Sequence, residues 1–185
     1  RNRVPQRHVY TVDLGNFSRT ASDGAPLRLS ENKVWHQLEL TDDTDVPFTT
    51  GAAMLMEGGV PLGQDLLGYT SPGGKTMIPI TTALNMRAVQ SEREVGRTPD
   101  ARTVDGNRYS LVQKKGTIAV TSQQKDRTTM RVSFATSGKV ERASHGGSVL
   151  VDELDRVNNQ SRVTWELTLG AGETVTLNYE FSVFR

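Results

Sequence analysis

The sequence predicts an all-β protein, built as an antiparallel β-sandwich and extended by a long central hairpin. Three observations carry this. Apolar and polar side chains alternate with period two over several runs, the pattern of a strand with one face in a core. Gly, Pro, Asn and Asp clusters break those runs about every ten to fifteen residues, the spacing of a sandwich or barrel. In the first half, only residues 64–67 read as a helical turn.

Residues 8–14 and 34–41 are strand-like, with a turn-rich stretch over 18–26 between them. Asp42-Asp43-Thr44-Asp45-Val46-Pro47 is a strong turn signal before a strand over 48–56. Glu57-Gly58-Gly59 and Ser71-Pro72-Gly73-Gly74 mark two further turns. Residues 75–80 form a strand in which Pro79, lacking an N–H, belongs at an edge or a bulge. Residues 84–95 begin apolar and become charged, as a solvated strand does.

Thr98-Pro99-Asp100 and Asp105-Gly106-Asn107 mark the tip of a long hairpin or, alternatively, a lobe boundary. The hairpin tip is preferred, because charged strand-like segments flank it. The chain is therefore read as one domain over 1–185, the alternative being two lobes of about 1–100 and 101–185. Tyr109, Leu111, Ile118 and Val120 describe one long strand, or two joined at a bulge or bend at Gly116. Met130, Val132 and Phe134 repeat the alternation. A flexible 144–148 leads to a short strand at 149–151 and a polar loop or single helical turn over 152–159.

The clearest pattern closes the chain. Val163, Trp165, Leu167 and Leu169 alternate with polar residues, and after Gly170-Ala171-Gly172 so do Val175, Leu177, Tyr179, Phe181 and Val183. Two such runs across a glycine-containing loop predict a β-hairpin, with Trp165 and Tyr179 in the core. Trp35 has the opposite parity to Val34, Leu38 and Leu40 and is the better candidate for an exposed contact.

Composition narrows the function classes. A chain of 185 residues buries roughly 70% of the surface its unfolded form exposes, so it needs no cross-link. With no cysteine, disulfides, thiolate nucleophiles and Cys-ligated zinc are excluded. The formal charge of +1 gives no general attraction to nucleic acid or an anionic membrane. A local patch around Lys114, Lys115, Lys125, Arg127 and Arg131 is better read as solvated strand faces. No apolar run is long enough for a membrane helix, so direct membrane insertion is not expected. The start at Arg1-Asn2-Arg3 reads as a mature form or an excised fragment.

Catalytic signatures are weak. Gly74-Lys75-Thr76 resembles the end of a phosphate loop, but the required earlier glycine position is Tyr69 and no long helix follows. A Pro-Gly-Gly turn between strands is the better reading. The three histidines, His8, His36 and His145, show no local metal or triad spacing, and no Gly-x-Ser-x-Gly elbow is present. Asp42, Asp43 and Asp45 are weak candidates for Ca²⁺ ligation, as are Asp152, Glu153 and Asp155, though aspartates also favour turns. Asn16-Phe17-Ser18 and Asn159-Gln160-Ser161 match a glycosylation acceptor pattern.

Residues 116–123 and 129–143, and above all Val163-Thr164-Trp165-Glu166-Leu167-Thr168-Leu169 followed by Gly172-Glu173-Thr174-Val175-Thr176-Leu177-Asn178-Tyr179, resemble a bacterial domain of unknown function. It forms the C-terminal half of mucoidy-inhibitor-like proteins. The first half is compatible, through Leu38-Glu39-Leu40, Pro47, 51–56 and 62–66. The pattern departs at Thr121-Ser122-Gln123-Gln124, where the family has an Asn-rich strand end, and in lacking an Asp-x-x-Pro after the next strand. The resemblance implies a β-sandwich without a known catalytic site, on an envelope-associated protein, and carries over no functional residue.

Together these readings predict a non-enzymatic binding or scaffolding module, extracytoplasmic (periplasmic or cell-surface), with no cofactor and with a protein or envelope component as partner. Cytoplasmic residence is the less favoured location. The alternative is a Ca²⁺-dependent carbohydrate-binding or carbohydrate-active sandwich. A further alternative is an oligomerising element that uses exposed strand edges.

Overall fold

The computed structural model describes residues 4–15, 30–152 and 157–185. The turn-rich stretch expected over 18–26, the acceptor pattern at Asn16-Phe17-Ser18 and the acidic residues Glu153 and Asp155 lie outside them.

Among the described residues the chain forms thirteen strands and no helix. They are β1 (Gln6–Leu14), β2 (Ser30–Asn32), β3 (Trp35–Thr41), β4 (Gly51–Glu57), β5 (Val60–Leu67), β6 (Lys75–Thr82), β7 (Met86–Val104), β8 (Asn107–Ser122), β9 (Thr128–Ser137), β10 (Lys139–Ala143), β11 (Ser148–Asp152), β12 (Gln160–Leu169) and β13 (Thr174–Phe184). A six-stranded sheet runs β11-β12-β9-β1-β3-β6 and a five-stranded sheet β10-β13-β8-β7-β2, while β4 and β5 pair only with each other. The fold class is as predicted, with one departure: β1 and β9 pair in parallel, so the larger sheet is mixed.

The inner faces of the two large sheets close on one core. Tyr10, Val12 and Leu14 of β1, Met130, Val132 and Phe134 of β9, and Val163, Trp165 and Leu169 of β12 meet Ile118 and Val120 of β8 and Leu177, Tyr179, Phe181 and Val183 of β13. The Phe134 and Tyr179 rings, one from each sheet, lie 4.1 Å apart between centroids. Every one of these residues sits on the apolar parity of its strand, as period two requires.

The last two strands are present, but they are not a hairpin. β12 lies between β11 and β9, whereas β13 lies between β10 and β8 in the opposite sheet. The turn at 170–173 therefore carries the chain across the sandwich. Gly170 N donates to the Glu173 carboxylate at 2.6 Å, and Glu173 O accepts from Ser122 N at the end of β8. The apolar faces of β12 and β13 oppose one another across the core instead of lying side by side. Alternation is identical for either arrangement, so it does not distinguish them.

Two other expectations change, and one pair of alternatives is decided. Residues 64–67 belong to β5 and are strand, not a helical turn. β8 runs unbroken through Gly116, which pairs in regular register with Glu92 on one side and Tyr179 on the other. The glycine is required by close approach: a Cβ there would stand 2.1 Å from the Tyr179 Cζ. Residues 144–148 form a well-anchored turn, in which Ser144 O accepts the Trp165 indole N–H at 2.7 Å and Ser144 Oγ accepts from Asn178 N at 2.8 Å.

The hairpin tip falls where expected, at Asp105-Gly106 between β7 and β8. Only the start of β7 is solvated less than predicted, since Met86, Ala88 and Gln90 are buried. β6 is the terminal strand of its sheet, and the β3–β6 register shifts beside Pro79, so both roles foreseen for that proline are realised.

Candidate functional site

Residues 42–74 leave the larger sheet between its neighbouring strands β3 and β6 and return to it, forming an arm. Its base is tied down by Asp42. The backbone of Asp42 bonds Gly73 and Gly74, and its buried carboxylate accepts from Thr44 N, Thr44 Oγ1 and Phe48 N. Phe48 and Thr70 then exchange two backbone bonds, at 2.9 and 3.0 Å. Both Asp42 oxygens are thus engaged by turn donors, while Asp43 and Asp45 are exposed. Among the described residues no three or more His, Cys, Asp or Glu side chains gather into one cluster.

Beyond this base, β4 and β5 form a two-stranded hairpin around Gly58-Gly59, whose φ values of 57° and 85° suit the primed turns that close tight hairpins. Alternation and register give the hairpin two unlike faces. Gly51, Ala53, Leu55, Gly63 and Leu67 are half-buried, and Gly63 lies against the backbone of Pro79 and Ile80. The other face carries Ala52, Met54, Met56, Leu62, Gln64 and Leu66, all exposed and none charged. Leu66 is 67% exposed and Met54 59%. An apolar face turned outward is the reverse of a solvated strand, and such patches mark binding surfaces. Methionine suits that role because its unbranched chain adapts to what it meets.

A second feature lies on the outer face of the larger sheet, where five adjacent strands bring charges together. Arg7 of β1 donates from Nε to Glu39 at 2.6 Å and from Nη1 to Glu166 at 2.9 Å. Arg131 of β9 donates to Glu39 at 2.8 Å and to Glu166 at 3.0 Å, and Lys75 of β6 lies 3.4 Å from Glu39. Glu39 is only 2% exposed. Burial alone would raise its pKa, but the two guanidinium bonds prevail and hold it at about 2. Hydrogen bonds from the same arginines lower Glu166. Every charged oxygen here has a partner, so the network braces the sheet.

The basic patch considered from sequence does not form. Arg131 belongs to this network, whereas Lys115 is on the other sheet paired with Glu180 at 2.8 Å, and Lys114 lies over the Phe181 ring. Gly73-Gly74-Lys75-Thr76 is a turn running into β6. Trp165 and Tyr179 are buried as predicted, and Trp35 is 43% exposed on the outer face. Asn159-Gln160-Ser161 leads into β12, with Ser161 buried against Gly138 O.

The structure also joins residues that sequence spacing kept apart. His8 Nδ1 and His36 Nε2 are 2.8 Å apart, and the Tyr10 and His36 rings stack at 4.7 Å. Burial, then the neighbouring His8, lowers the His36 pKa. A groove of about 310 Å³ on the smaller sheet is lined by residues that include Ser91, Arg93, Lys115 and Glu180.

With the geometry in place, comparison with protein-family models, curated proteins and solved structures yields no match in any of the three.

Proposed function

We propose that this chain is a binding or scaffolding β-sandwich module, non-enzymatic, that docks a protein partner through the β4–β5 arm. The observation carrying this reading is the uncharged outward face of Met54, Met56, Leu62 and Leu66 on a hairpin that adds nothing to the central core. An isolated two-stranded hairpin is marginal in water, so an apolar face left outward gains most from being covered. The strand-pattern resemblance to the C-terminal half of mucoidy-inhibitor-like proteins favours a bacterial, envelope-associated setting, periplasmic or at the cell surface.

A photo-crosslinking side chain placed at Leu66, with Lys139 on β10 as control, tests this in the parent cell. The proposal expects a discrete adduct with another protein from position 66 and none from 139. No adduct at 66, or equal labelling at both positions, contradicts it. An adduct of twice the chain mass would replace the foreign partner by a second copy.

A carbohydrate ligand is the second reading, favoured by the exposed Trp35 indole. Ligands that bind the native state raise its melting temperature. Ca²⁺ with a glycan panel would then raise Tm in the native chain and not in Trp35→Ala, and the absence of any shift contradicts this reading.

A further inference from the structure

The His8–His36 pair is built by the register of two strands. Tyr10 pairs with His36 and His8 with Leu38, so the two imidazoles are diagonal neighbours on one face of the β1–β3 ladder. Their facing nitrogens are 2.8 Å apart. His36 is half-buried, held flat against Tyr10 with an interplanar angle of 8°, and the Tyr10 hydroxyl accepts from Gln124 Nε2 at 2.6 Å. His8 is exposed, so one side of the pair opens to solvent. Arg7 and Glu39, the charged pair adjoining in sequence, have the opposite strand parity and face away from it.

Borderline divalent metals bind neutral imidazole nitrogen at about 2.0–2.1 Å. Two nitrogens on neighbouring positions of one such ion stand roughly 2.9–3.4 Å apart for angles between right-angled and tetrahedral. The observed separation is within a few tenths of an ångström of that range. Only one proton lies between the facing nitrogens of the neutral pair. When it moves to the far nitrogen of its own ring, both facing lone pairs are free, with no net proton change. Stacking on Tyr10 fixes one ligand, and rotation of the exposed ring supplies the small adjustment.

We propose that His8 and His36 form a two-histidine site for a borderline divalent transition metal, with solvent or a partner's side chain completing the coordination. The site is independent of the arm. Calorimetric titration of the full chain with Zn²⁺ at pH 7.5 tests it, alongside His8→Ala, His36→Gln and the remote control His145→Ala. The expected result is saturable binding of one Zn²⁺ per chain, weakened at least about tenfold by His8→Ala and His36→Gln and unchanged in His145→Ala. Because His8 is exposed, His8→Ala leaves the fold intact, which the unchanged melting temperature of the metal-free variant will show. Absence of Zn²⁺ binding in the native chain, or equal binding in His8→Ala, would overturn the proposal.

Discussion

The sandwich core and the β4–β5 arm are both built of strands whose successive side chains point to opposite faces, yet they expose apolar residues very differently. In β12 and β13 the apolar face is buried against the other sheet; in β4 and β5 an apolar face points outward. The difference teaches that alternation specifies a face, while the topology decides what covers it. In the core that cover is internal. On the arm that face is open to solvent, and this exposure is the observation behind the function proposed above.

The comparison breaks most visibly under large-to-small substitution. Trp165→Ala removes a fully buried ring and its bond to Ser144 O, and is expected to lower unfolding free energy by about 3–5 kcal/mol in urea titrations. An equal effect from Leu66→Ala would mean that the arm is core after all.

Next in size is the brace on the outer face. The Glu39 pKa lies below its ordinary value, so its contribution is fully present above about pH 4.5 and is lost as pH falls toward 2. A shift of that size corresponds to about 3 kcal/mol. Glu39→Gln should lose a similar amount at pH 7 and flatten the acid limb of the stability profile between pH 5 and 2. An unaltered acid limb would assign that slope to other carboxylates.

A smaller effect is expected at Gly116→Ala, where the added methyl collides with the Tyr179 ring. Overpacking of this kind costs about 1–3 kcal/mol. In Tyr179→Ala the same change should cost far less, and a double-mutant cycle would read the coupling. Purely additive losses would mean that the ring is not what excludes a side chain there.

Much of this division was legible in the sequence, and the failures have physical causes. Period-two runs located β1, β3, β9, β12 and β13, and Pro79 marked an edge and a bulge because a missing N–H cannot be hidden in a ladder. The sheet to which β13 belongs was not legible, because a hairpin and a crossing of the sandwich present the same alternation. Gly116 left open one long strand or two joined at a bend, since a glycine required by a ring from a strand distant in sequence leaves no local trace. β5 resembled a helical turn because Gly63 and Pro61 dilute its alternation. For the candidate sites, Asp42 was singled out for its type and proved to be the staple of the arm's base. The His8–His36 contact depends on the β1–β3 register, which no local spacing encodes. On the arm, 48–56 was readable as a strand, but neither β5 nor the exposure of the outward face was.

The smallest expected effect is also the most telling. Met54→Ser combined with Leu66→Ser should leave the unfolding free energy within about 0.5 kcal/mol of the native chain, because neither side chain is buried. The direct test measures, on that double variant, both the urea midpoint and the adduct formed from a photo-crosslinker at neighbouring Leu62. The account predicts an unchanged midpoint and a lost adduct. A midpoint that falls as it does for Trp165→Ala, or an adduct that persists, would contradict it.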